Sequence, residues 1–525
     1  MDGYVATQPA PGKVYDSRAR AAKAYLRYLQ TQQNAVTSLV PDAPVVMNYS
    51  TVFNGFAAQL SDDEVLTLRA NANVVAVTED TLLHPDTIST PKFLKLNTPG
   101  GVWSGTAPNG MALKGEDMVI GIVDLGVWPE NLAFADHVDG NGQPTFNGGT
   151  LAYGPPPATF KGSCIAGAGF DPAKHCNNKL IGAKFFNAGL AAANKTISSV
   201  YDFASARDPL ADGEGGHGDH TSSTAAGNQN NPAYVSGVLM GLASGVAPRA
   251  RIAHYKVCWS YNDTAGTNGV SNGCYNSDTM GAIDQAVADG VNVINYSISG
   301  AQSTVNDAVE QAFYRAALAG VFVAASAGNS GPGNQAAHPS PWITTVAAST
   351  HDRATTASAT LGNGAVYQGV SLNPNPLGAT PVIRAEDAGL NGGAANLCFS
   401  DATAAVAGGQ VLLDPAKVTG KVVICTRGTN ARIDKSLAVL NAGGLGMVFV
   451  DNGSGLISEV HSVPTVMVNA TDGAAIKTYA TTSNATAAIS AFQITSVPAP
   501  IMAGFSSRGP NLADSGVLKP DVTWR

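Results

Sequence analysis

The chain has 525 residues, of which 44% are hydrophobic and 13% charged, a composition typical of a globular protein with several domains rather than of a disordered one. Its formal net charge of −8 gives no basic surface for nucleic acid, and no Lys/Arg cluster indicates binding to an anionic membrane. No apolar run reaches the roughly 20 residues that span a bilayer. We therefore expect polypeptides or small molecules as partners, with no nucleic acid and no membrane.

The first 85 residues predict a compact unit of helices and strands. Helical periodicity runs through residues 17–36, and "VVMNYSTVFNGFAAQL" at 45–60 predicts a strand. Ser61 and Glu64 have the spacing of a capping box, so we expect a second helix to begin there. The order of these elements predicts an α+β sandwich.

The segment "HPDTISTPKFLKLN" at residues 84–97 breaks this pattern with two prolines and several polar residues, and it predicts an accessible linker. The first residues, "MDGYVATQPAPGK", lack the basic region followed by an apolar region that is typical of a secretory signal. If the protein is secreted, its signal is not visible in this chain.

From about residue 116 the sequence alternates apolar strands with amphipathic helices. The strands are "MVIGIVDLG", "RIAHYKVCW", "VNVINYSIS" and "VFVAASAG", and the helices are "SDTMGAIDQAVADG" and "VNDAVEQAFYRAALAG". Continuous apolar strands of this kind predict an α/β fold with a parallel sheet flanked by helices. The apolar faces of the two helices consist of Met280, Ile283 and Val287, and of Val309, Phe313 and Ala316. Residues 360–495 change to short Gly/Ala/Val-rich strands, which predict a separate β-rich module.

The six cysteines form three local couples with no CxxC spacing: Cys164 with Cys176, Cys258 with Cys274, and Cys398 with Cys425. We expect disulfides, although metal binding or free thiols remain open from spacing alone. Each bridge would close a loop worth on the order of 3 kcal/mol. Disulfides favour an oxidising compartment, so we expect a secreted, extracellular protein.

Three polar residues lie at positions where an apolar sheet domain does not require a polar side chain. Asp124 ends "VIGIVD", His217 lies in "GGHGDHTSSTAAGN", and Asn329 ends "VFVAASAGNSGPG". Each has an ordinary explanation alone, as a turn-forming Asp, a solvated loop His or an Asn in a Gly/Pro turn. Because the carboxyl ends of parallel strands meet at one edge of a sheet, we expect the three to converge. An Asp that orients an imidazole base, with an amide that donates to an oxyanion, fits nucleophilic acyl transfer.

Six blocks carry a resemblance to a known family. In chain order they are "DLGVWPE", "HGDHTSSTAAGN", "IAHYKVCW", "AIDQAVADGVNVINYSIS", "SAGNSGPG" and "FSSRGPN" followed by "LKPDVT". They resemble the successive signatures of subtilisin-like serine proteases, and most closely those with an inserted protease-associated domain. The resemblance implies an inhibitory propeptide at 1–89, a catalytic domain at 90–364 that continues at 491–525, and the protease-associated insert at 365–490.

The resemblance assigns roles residue by residue. Asp124 would orient the base, His217 would be the general base, and Asn329 would donate to the oxyanion. The substrate-binding residues would be Ser297, Ile298, Ser299, Gly300 and Gly328. The reaction would be hydrolysis of peptide bonds in polypeptide substrates through an acyl-enzyme, with the protein's own propeptide as intramolecular inhibitor. The segments around Cys164 and Cys176 also match, which supports their pairing. No cofactor is implied, and nothing in the sequence supports a structural calcium ion.

Several residues depart from the family pattern. Leu125 replaces Thr or Ser, and Asp219 replaces the usual Thr two residues after the base, where a carboxylate facing the ring would raise the pKa of the imidazole. Ser299 replaces a common Gly, and the insertion "PLADGEG" lengthens the loop before His217. The family's "GTSM"-type block with the nucleophilic serine is absent from the 525 residues. We therefore expect a precursor fragment, truncated before the nucleophile and itself inactive.

Two other interpretations remain. In the first, the chain is a non-catalytic truncated or pseudo-protease that binds peptides or the intact protease. In the second, His217, Asp219 and His220 bind a metal with Asp212 or Glu214, although the Gly-rich surroundings make this the weakest interpretation.

Overall fold

The computed structural model describes residues 19–50, 54–74, 77, 82–83, 94, 96, 100–107, 110–210, 215–235, 238–267, 270–350, 353–406, 409–453 and 455–524. The predicted linker at 84–97 lies outside the described residues except for positions 94 and 96. Within the described part of the chain, no helix has the length and apolar character needed to cross a membrane.

The described residues of the N-terminal unit form two helices and three short strands. They are α1 (Arg20–Thr37), β1 (Val45–Tyr49), β2 (Gly55–Ala58), α2 (Asp62–Arg69) and β3 (Leu82–Leu83).

Two predictions for this unit have different outcomes. The capping box is confirmed, because the Ser61 side chain accepts from the Glu64 backbone and the Glu64 side chain accepts from the Ser61 backbone. The single strand across 45–60 is wrong: the chain turns back and β2 pairs antiparallel with β1, with Val45 opposite Ala58. The physical reason is that this return pairs backbone groups that one long strand would leave without partners.

The middle of the chain builds a seven-stranded sheet. The strands of this region are β4 (Val119–Asp124), β5 (His137–Val138), β6 (Pro144–Thr145), β7 (Thr150–Leu151), β8 (Leu180–Phe185), β9 (Asn231–Val235), β10 (Val238–Ala243), β11 (Arg251–Lys256), β12 (Cys258–Thr267), β13 (Val270–Tyr275), β14 (Val293–Tyr296), β15 (Phe322–Ser326) and β16 (Thr344–Ala348). Its helices are α3 (Pro172–His175), α4 (Ala188–Ala192), α5 (His217–Ala226), α6 (Asn276–Asp289) and α7 (Ala308–Leu318).

The strand order in this sheet is β25-β16-β15-β14-β4-β11-β8, where β25 is Val522–Trp524, and every neighbouring pair is parallel. Strands β4 and β11 are buried at every position because helices cover both faces. The predicted apolar faces of α6 and α7 are buried in the same core. The α/β fold with a parallel, helix-flanked sheet is therefore confirmed.

After β16 the chain leaves this sheet and builds a second one of eight strands before it returns as β25. Its elements are β17 (Arg353–Leu361), β18 (Val366–Val370), β19 (Leu377–Arg384), α8 (Asp401–Val406), α9 (Pro415–Val418), β20 (Val422–Thr426), α10 (Arg432–Asn441), β21 (Gly446–Val450), β22 (Thr465–Val468), α11 (Ala470–Tyr479), β23 (Thr486–Ile489) and β24 (Gln493–Ser496). This sheet has cores of its own, with Phe449 and Met467 in one of them and Ile476 in another.

All six cysteines form disulfides, in the three couples that the sequence indicates. The Cys258–Cys274 bridge joins β12 to β13, in which the two residues are direct register partners. The Cys398–Cys425 bridge ties a loop to β20 in the second sheet. The disulfide prediction is confirmed. Because all six cysteines are paired, they are neither metal ligands nor free thiols.

Candidate active site

Asp124 is the last residue of β4, a central strand of the parallel sheet, and its side chain is fully buried. Its carbonyl oxygen accepts from the Val257 backbone nitrogen at 2.9 Å, which fixes the strand end against the chain that follows β11. Its carboxylate oxygen Oδ1 accepts from the Leu125 backbone nitrogen at 2.7 Å. The strand therefore presents a carboxylate of fixed orientation at the carboxyl edge of the sheet.

His217 is the first residue of α5, as the Ser/Thr/Ala run after it indicates. Gly216 before it has the left-handed φ of 89°, which a glycine adopts without steric cost. Gly218 after it touches the backbone of Gly126 so closely that a Cβ would overlap the Gly126 carbonyl oxygen. These glycines let the helix begin directly beside the end of β4. As a result His217 Nδ1 lies 2.6 Å from Asp124 Oδ1, and the histidine is only 4% exposed.

Thr221 is a member of this cluster that sequence analysis missed. Its hydroxyl donates to Asp124 Oδ2 at 3.0 Å, so both carboxylate oxygens of Asp124 are held. The signal was present in the sequence, because Thr221 follows His217 by four residues and must share its face of the helix. The carboxylate thus has one imidazole, one hydroxyl and one backbone nitrogen around it.

A second histidine, His254 on β11, lies fully buried close to this cluster. Its Nδ1 is 3.1 Å from the Ser222 hydroxyl on α5. Burial lowers the pKa of His254 to about 3, although the Asp124 carboxylate opposes this shift. His254 therefore stays neutral at ordinary pH and adds no second positive charge beside Asp124.

The carboxylate of Asp219 is turned toward the loop after β4 and not toward the imidazole of His217. Its Oδ1 accepts from the Trp128 backbone nitrogen at 3.0 Å, and its Oδ2 accepts from Asn131 Nδ2 at 2.7 Å. Burial raises the pKa of Asp219 to about 6, although these two hydrogen bonds oppose the shift. The Asp219 backbone nitrogen donates to Asp208 Oδ2 at 2.7 Å, and burial raises the pKa of Asp208 well above its usual value. Asp219 thus ties the start of α5 to the loop after β4.

The other candidate residues lie at the same edge of the sheet. Strand order places β14 beside β4 and β15 beside β14. The segment Ser297–Gly300 directly follows β14, and Ile298 in it is buried. Gly328 and Asn329 follow β15; Gly328 has a left-handed φ of 91° and Asn329 is exposed.

The metal interpretation gains no support from this geometry. His217 faces Asp124, and both oxygens of Asp219 bind the loop after β4. Asp212 and Glu214 lie outside the described residues. In the ranges that the structure covers, no three His, Cys, Asp or Glu side chains are grouped to hold a metal ion.

The sequence profile of the subtilase family matches residues 115–525, which include Asp124, His217 and Asn329. The chain belongs to the subtilase family. A second profile, peptidase inhibitor I9, matches residues 16–86, the N-terminal unit.

Among individual subtilases, the chain is 40% identical over 505 residues to subtilisin-like protease SBT1.6 of Arabidopsis thaliana, covering 93% of this chain and 59% of that one. It is 36% identical over 513 residues to SBT1.5 of the same plant, covering 93% and 60%. The chain thus spans about three-fifths of the length of these relatives. The crystal structure of the psychrophilic subtilisin-like protease Apa1 from an Antarctic Pseudoalteromonas overlaps 77% of this chain and 82% of its own, at 16% identity and a TM-score of 0.28.

Proposed function

We propose that this subtilase supplies the base, the orienting acid and the oxyanion donor of a serine endopeptidase that hydrolyses peptide bonds through an acyl-enzyme. The observation that carries the proposal is the buried 2.6 Å contact between His217 Nδ1 and Asp124 Oδ1. An ionised Asp that accepts from Nδ1 fixes the tautomer in which the other ring nitrogen, Nε2, is the base. It also stabilises the imidazolium that forms when Nε2 takes a proton.

The nucleophile of this reaction is proposed to be a serine that lies outside residues 1–525. The serine hydroxyl would pass its proton to His217 Nε2 as its oxygen attacks the substrate carbonyl, and the imidazolium would return that proton to the leaving amine. Thr221 and the Leu125 backbone nitrogen keep Asp124 in place throughout, since they hold its carboxylate from two further directions. The chain by itself is therefore proposed to be inactive.

Asn329 is proposed to donate to the oxyanion, and Ser297, Ile298, Ser299, Gly300 and Gly328 to bind the substrate. Their positions after β14 and β15 support this, because both strand ends open at the edge that carries Asp124. An extended peptide that lies beside Ser297–Gly300 would gain affinity from main-chain hydrogen bonds and selectivity from side-chain pockets.

The N-terminal unit, residues 1–89, is proposed to inhibit the catalytic part from within the same chain. Its contacts support this: the Tyr49 hydroxyl donates to the Ser277 carbonyl oxygen on α6 at 2.8 Å, and β3 pairs antiparallel with β13. We assign residues 90–364 and 491–525 to the catalytic domain and 365–490 to a protease-associated insert. We also propose secretion, which three disulfides favour.

Labelling with a fluorophosphonate probe tests the proposal. The 525-residue chain should show no labelled active-site serine. A chimera, extended with the segment that follows the matched region in the Arabidopsis relative SBT1.6, should be labelled and should cleave a fluorogenic peptide. His217→Ala in the chimera should abolish both signals, whereas Ser223→Ala on the outer part of α5 should retain them. Stoichiometric serine labelling of the 525-residue chain would refute the assignment of the nucleophile.

The second candidate function, a non-catalytic binder of peptides, is favoured by one observation, the absence of a "GTSM"-type block from these residues. A chimera that folds and binds peptides but neither labels nor cleaves would select this alternative.

A further inference from the structure

A buried Glu–His pair lies directly beneath the proposed substrate-binding segment. Glu310 on α7 and His338 in the loop before β16 are both fully buried, and Glu310 Oε1 lies 2.6 Å from His338 Nδ1. The other ring nitrogen, His338 Nε2, lies 2.9 Å from the carbonyl oxygen of Ile298. The imidazole therefore bridges a helix carboxylate and the backbone of the segment Ser297–Gly300.

The chemistry of the bonded groups determines which nitrogen of His338 carries a proton. A carbonyl oxygen can only accept, so His338 Nε2 must carry the proton in the bond to Ile298. Nδ1 and Glu310 share the remaining proton, and the Ser340 hydroxyl donates to the other oxygen of Glu310. The pair thus satisfies its own polar atoms in a site without water contact, as buried charged groups require.

His338 holds the segment at more than one point. Its backbone nitrogen donates to the Ala301 carbonyl oxygen at 2.8 Å, while its ring holds Ile298. Between these bonds, Gly300 lies so close to the ring that a Cβ there would overlap it. The rings of Tyr296 and Phe313 pack edge-on against the imidazole with centroids 5.4 and 6.3 Å away. The path of residues 298–301 is therefore shaped by the ring and the backbone nitrogen of the single residue His338.

We propose that His338 is a positioning residue, held by Glu310, that sets the backbone path of Ser297–Gly300 and thereby the affinity of this segment for an extended peptide. The consequence for substrate rests on the proposed function, whereas the consequence for the segment itself does not. His338 acts through Ile298 and has no part in the proton transfers at His217.

Two variants of the 525-residue chain separate positioning from mere stability. His338→Phe keeps an aromatic ring but leaves the Glu310 carboxylate buried without its partner, so it should lower the melting temperature strongly. The double variant His338→Phe/Glu310→Leu removes both polar groups and should recover most of that loss. A residue with only a structural role would be fully replaced by this apolar pair.

The readout is backbone hydrogen exchange of residues 297–301 in the ligand-free chain. In the double variant we expect exchange at least about 10-fold faster than in the wild type, because the hydrogen bond to the Ile298 carbonyl oxygen is gone even though stability is restored. Arg432→Ala/Glu459→Ala, which removes an ion pair between α10 and the loop before β22, should leave this exchange unchanged. Wild-type exchange rates in the stabilised double variant would overturn the proposal.

Should both variants fail to fold, the wild-type chain still decides the matter. Nitrogen-15 NMR of the histidines should show one buried imidazole with a proton on Nε2. This proton should show a coupling across its hydrogen bond and slow exchange with solvent. The signal should be absent from the spectrum of His338→Gln. An unprotonated Nε2 at His338 would overturn the proposal.

Peptide binding then links the segment to function. The double variant should bind an extended peptide about 10-fold more weakly than the wild type, measured by fluorescence anisotropy. If exchange changes as expected but the wild type binds no peptide, the proposed function fails and the positioning role stands. If the wild type binds peptide and neither exchange nor affinity changes, the positioning role fails alone.

Discussion

The carboxylate of Asp219 binds the backbone nitrogen of Trp128, and it does so only two residues along α5 from His217. Asp219, which departs from the family's signature beside the base, thus binds the loop that follows β4. Its partner in that loop, Asn131, donates to the second oxygen. The consequence is that Asp219 affects the stability of this part of the site in a pH-dependent way.

Asp219→Asn should change how stability depends on pH. The pKa of Asp219 is raised from 3.8 to about 6 in the folded protein by burial, so the folded state binds the proton more tightly than the unfolded state. Stability from this group is therefore greatest below about pH 4 and falls as pH rises to about 6, by up to about 3 kcal/mol. Asparagine has no such titration, and the stability of the variant relative to the wild type should rise over this range.

Denaturant unfolding at pH 4.5 and pH 7.5 measures this difference. Any fixed cost of the altered hydrogen bonds appears equally at both pH values and cancels. Asp42→Asn, at an exposed position in the N-terminal unit, is the matched control for the substitution. An Asp219→Asn difference that is the same at both pH values would contradict the assignment.

Thr221→Val should destabilise the catalytic part by about 1–3 kcal/mol, because it leaves the buried Oδ2 of Asp124 without its hydroxyl donor. Valine has nearly the same shape, so packing changes little. Unfolding followed by intrinsic fluorescence checks the value. Ser223→Ala on the same helix removes a hydroxyl that bonds only the His220 carbonyl oxygen and should cost less than about 0.5 kcal/mol. Equal costs for the two variants would show that the Asp124 contact contributes nothing.

Gly218→Ala should push α5 away from the end of β4, since its Cβ would overlap the Gly126 carbonyl oxygen. We expect a loss of about 1–3 kcal/mol and a longer distance between His217 Nδ1 and Asp124 Oδ1. A crystal structure of the variant measures the distance, and unfolding measures the loss. Gly154→Ala, where a Cβ meets nothing within 4 Å, should be nearly neutral.

Removing the Cys398–Cys425 disulfide by Cys398→Ala/Cys425→Ala should destabilise the second sheet by about 3 kcal/mol, because the unfolded chain regains the freedom of a loop with a sequence separation of 27. Faster hydrogen exchange of β20 checks this result. The variant Cys164→Ala/Cys176→Ala should leave β20 exchange unchanged, since that bridge lies in the region of the parallel sheet. Equal effects of the two variants on β20 would rule out a local role for the bridge.

The elements that are marked by a regular spacing of apolar residues could be predicted from the sequence. The parallel sheet follows from the apolar strands, α6 and α7 follow from their amphipathic pattern, and the meeting of Asp124 with His217 follows from a strand end and a helix start at one edge of the sheet. The disulfide couples follow from short loops between cysteines. In each case the signal is local, or it depends on the general rule that parallel strands end at one edge.

What could not be predicted depends on contacts between distant segments. By contrast, the return of the chain between β1 and β2 ends at Asn54 and Gly55, a turn signal that the prediction of one strand did not use. The direction of the Asp219 carboxylate depends on how closely the loop after β4 approaches α5. Glu310 looks like a surface residue of an amphipathic helix, and only His338, 28 residues later, explains why it is buried.

The pairing of β3 with β13 has a consequence for the protein's associations with other chains. Strand β13 has β12 on one side and β3 on the other, with Cys274 and Tyr275 opposite Leu83 and Leu82. The Cys258–Cys274 bridge keeps β12 and β13 paired whether β3 is present or not. Separation of the N-terminal unit would thus leave this edge of β13 with unpaired backbone donors and acceptors, where an extended segment, a second copy included, could pair. The N-terminal unit would then limit self-association at this edge, in addition to its proposed inhibitory role.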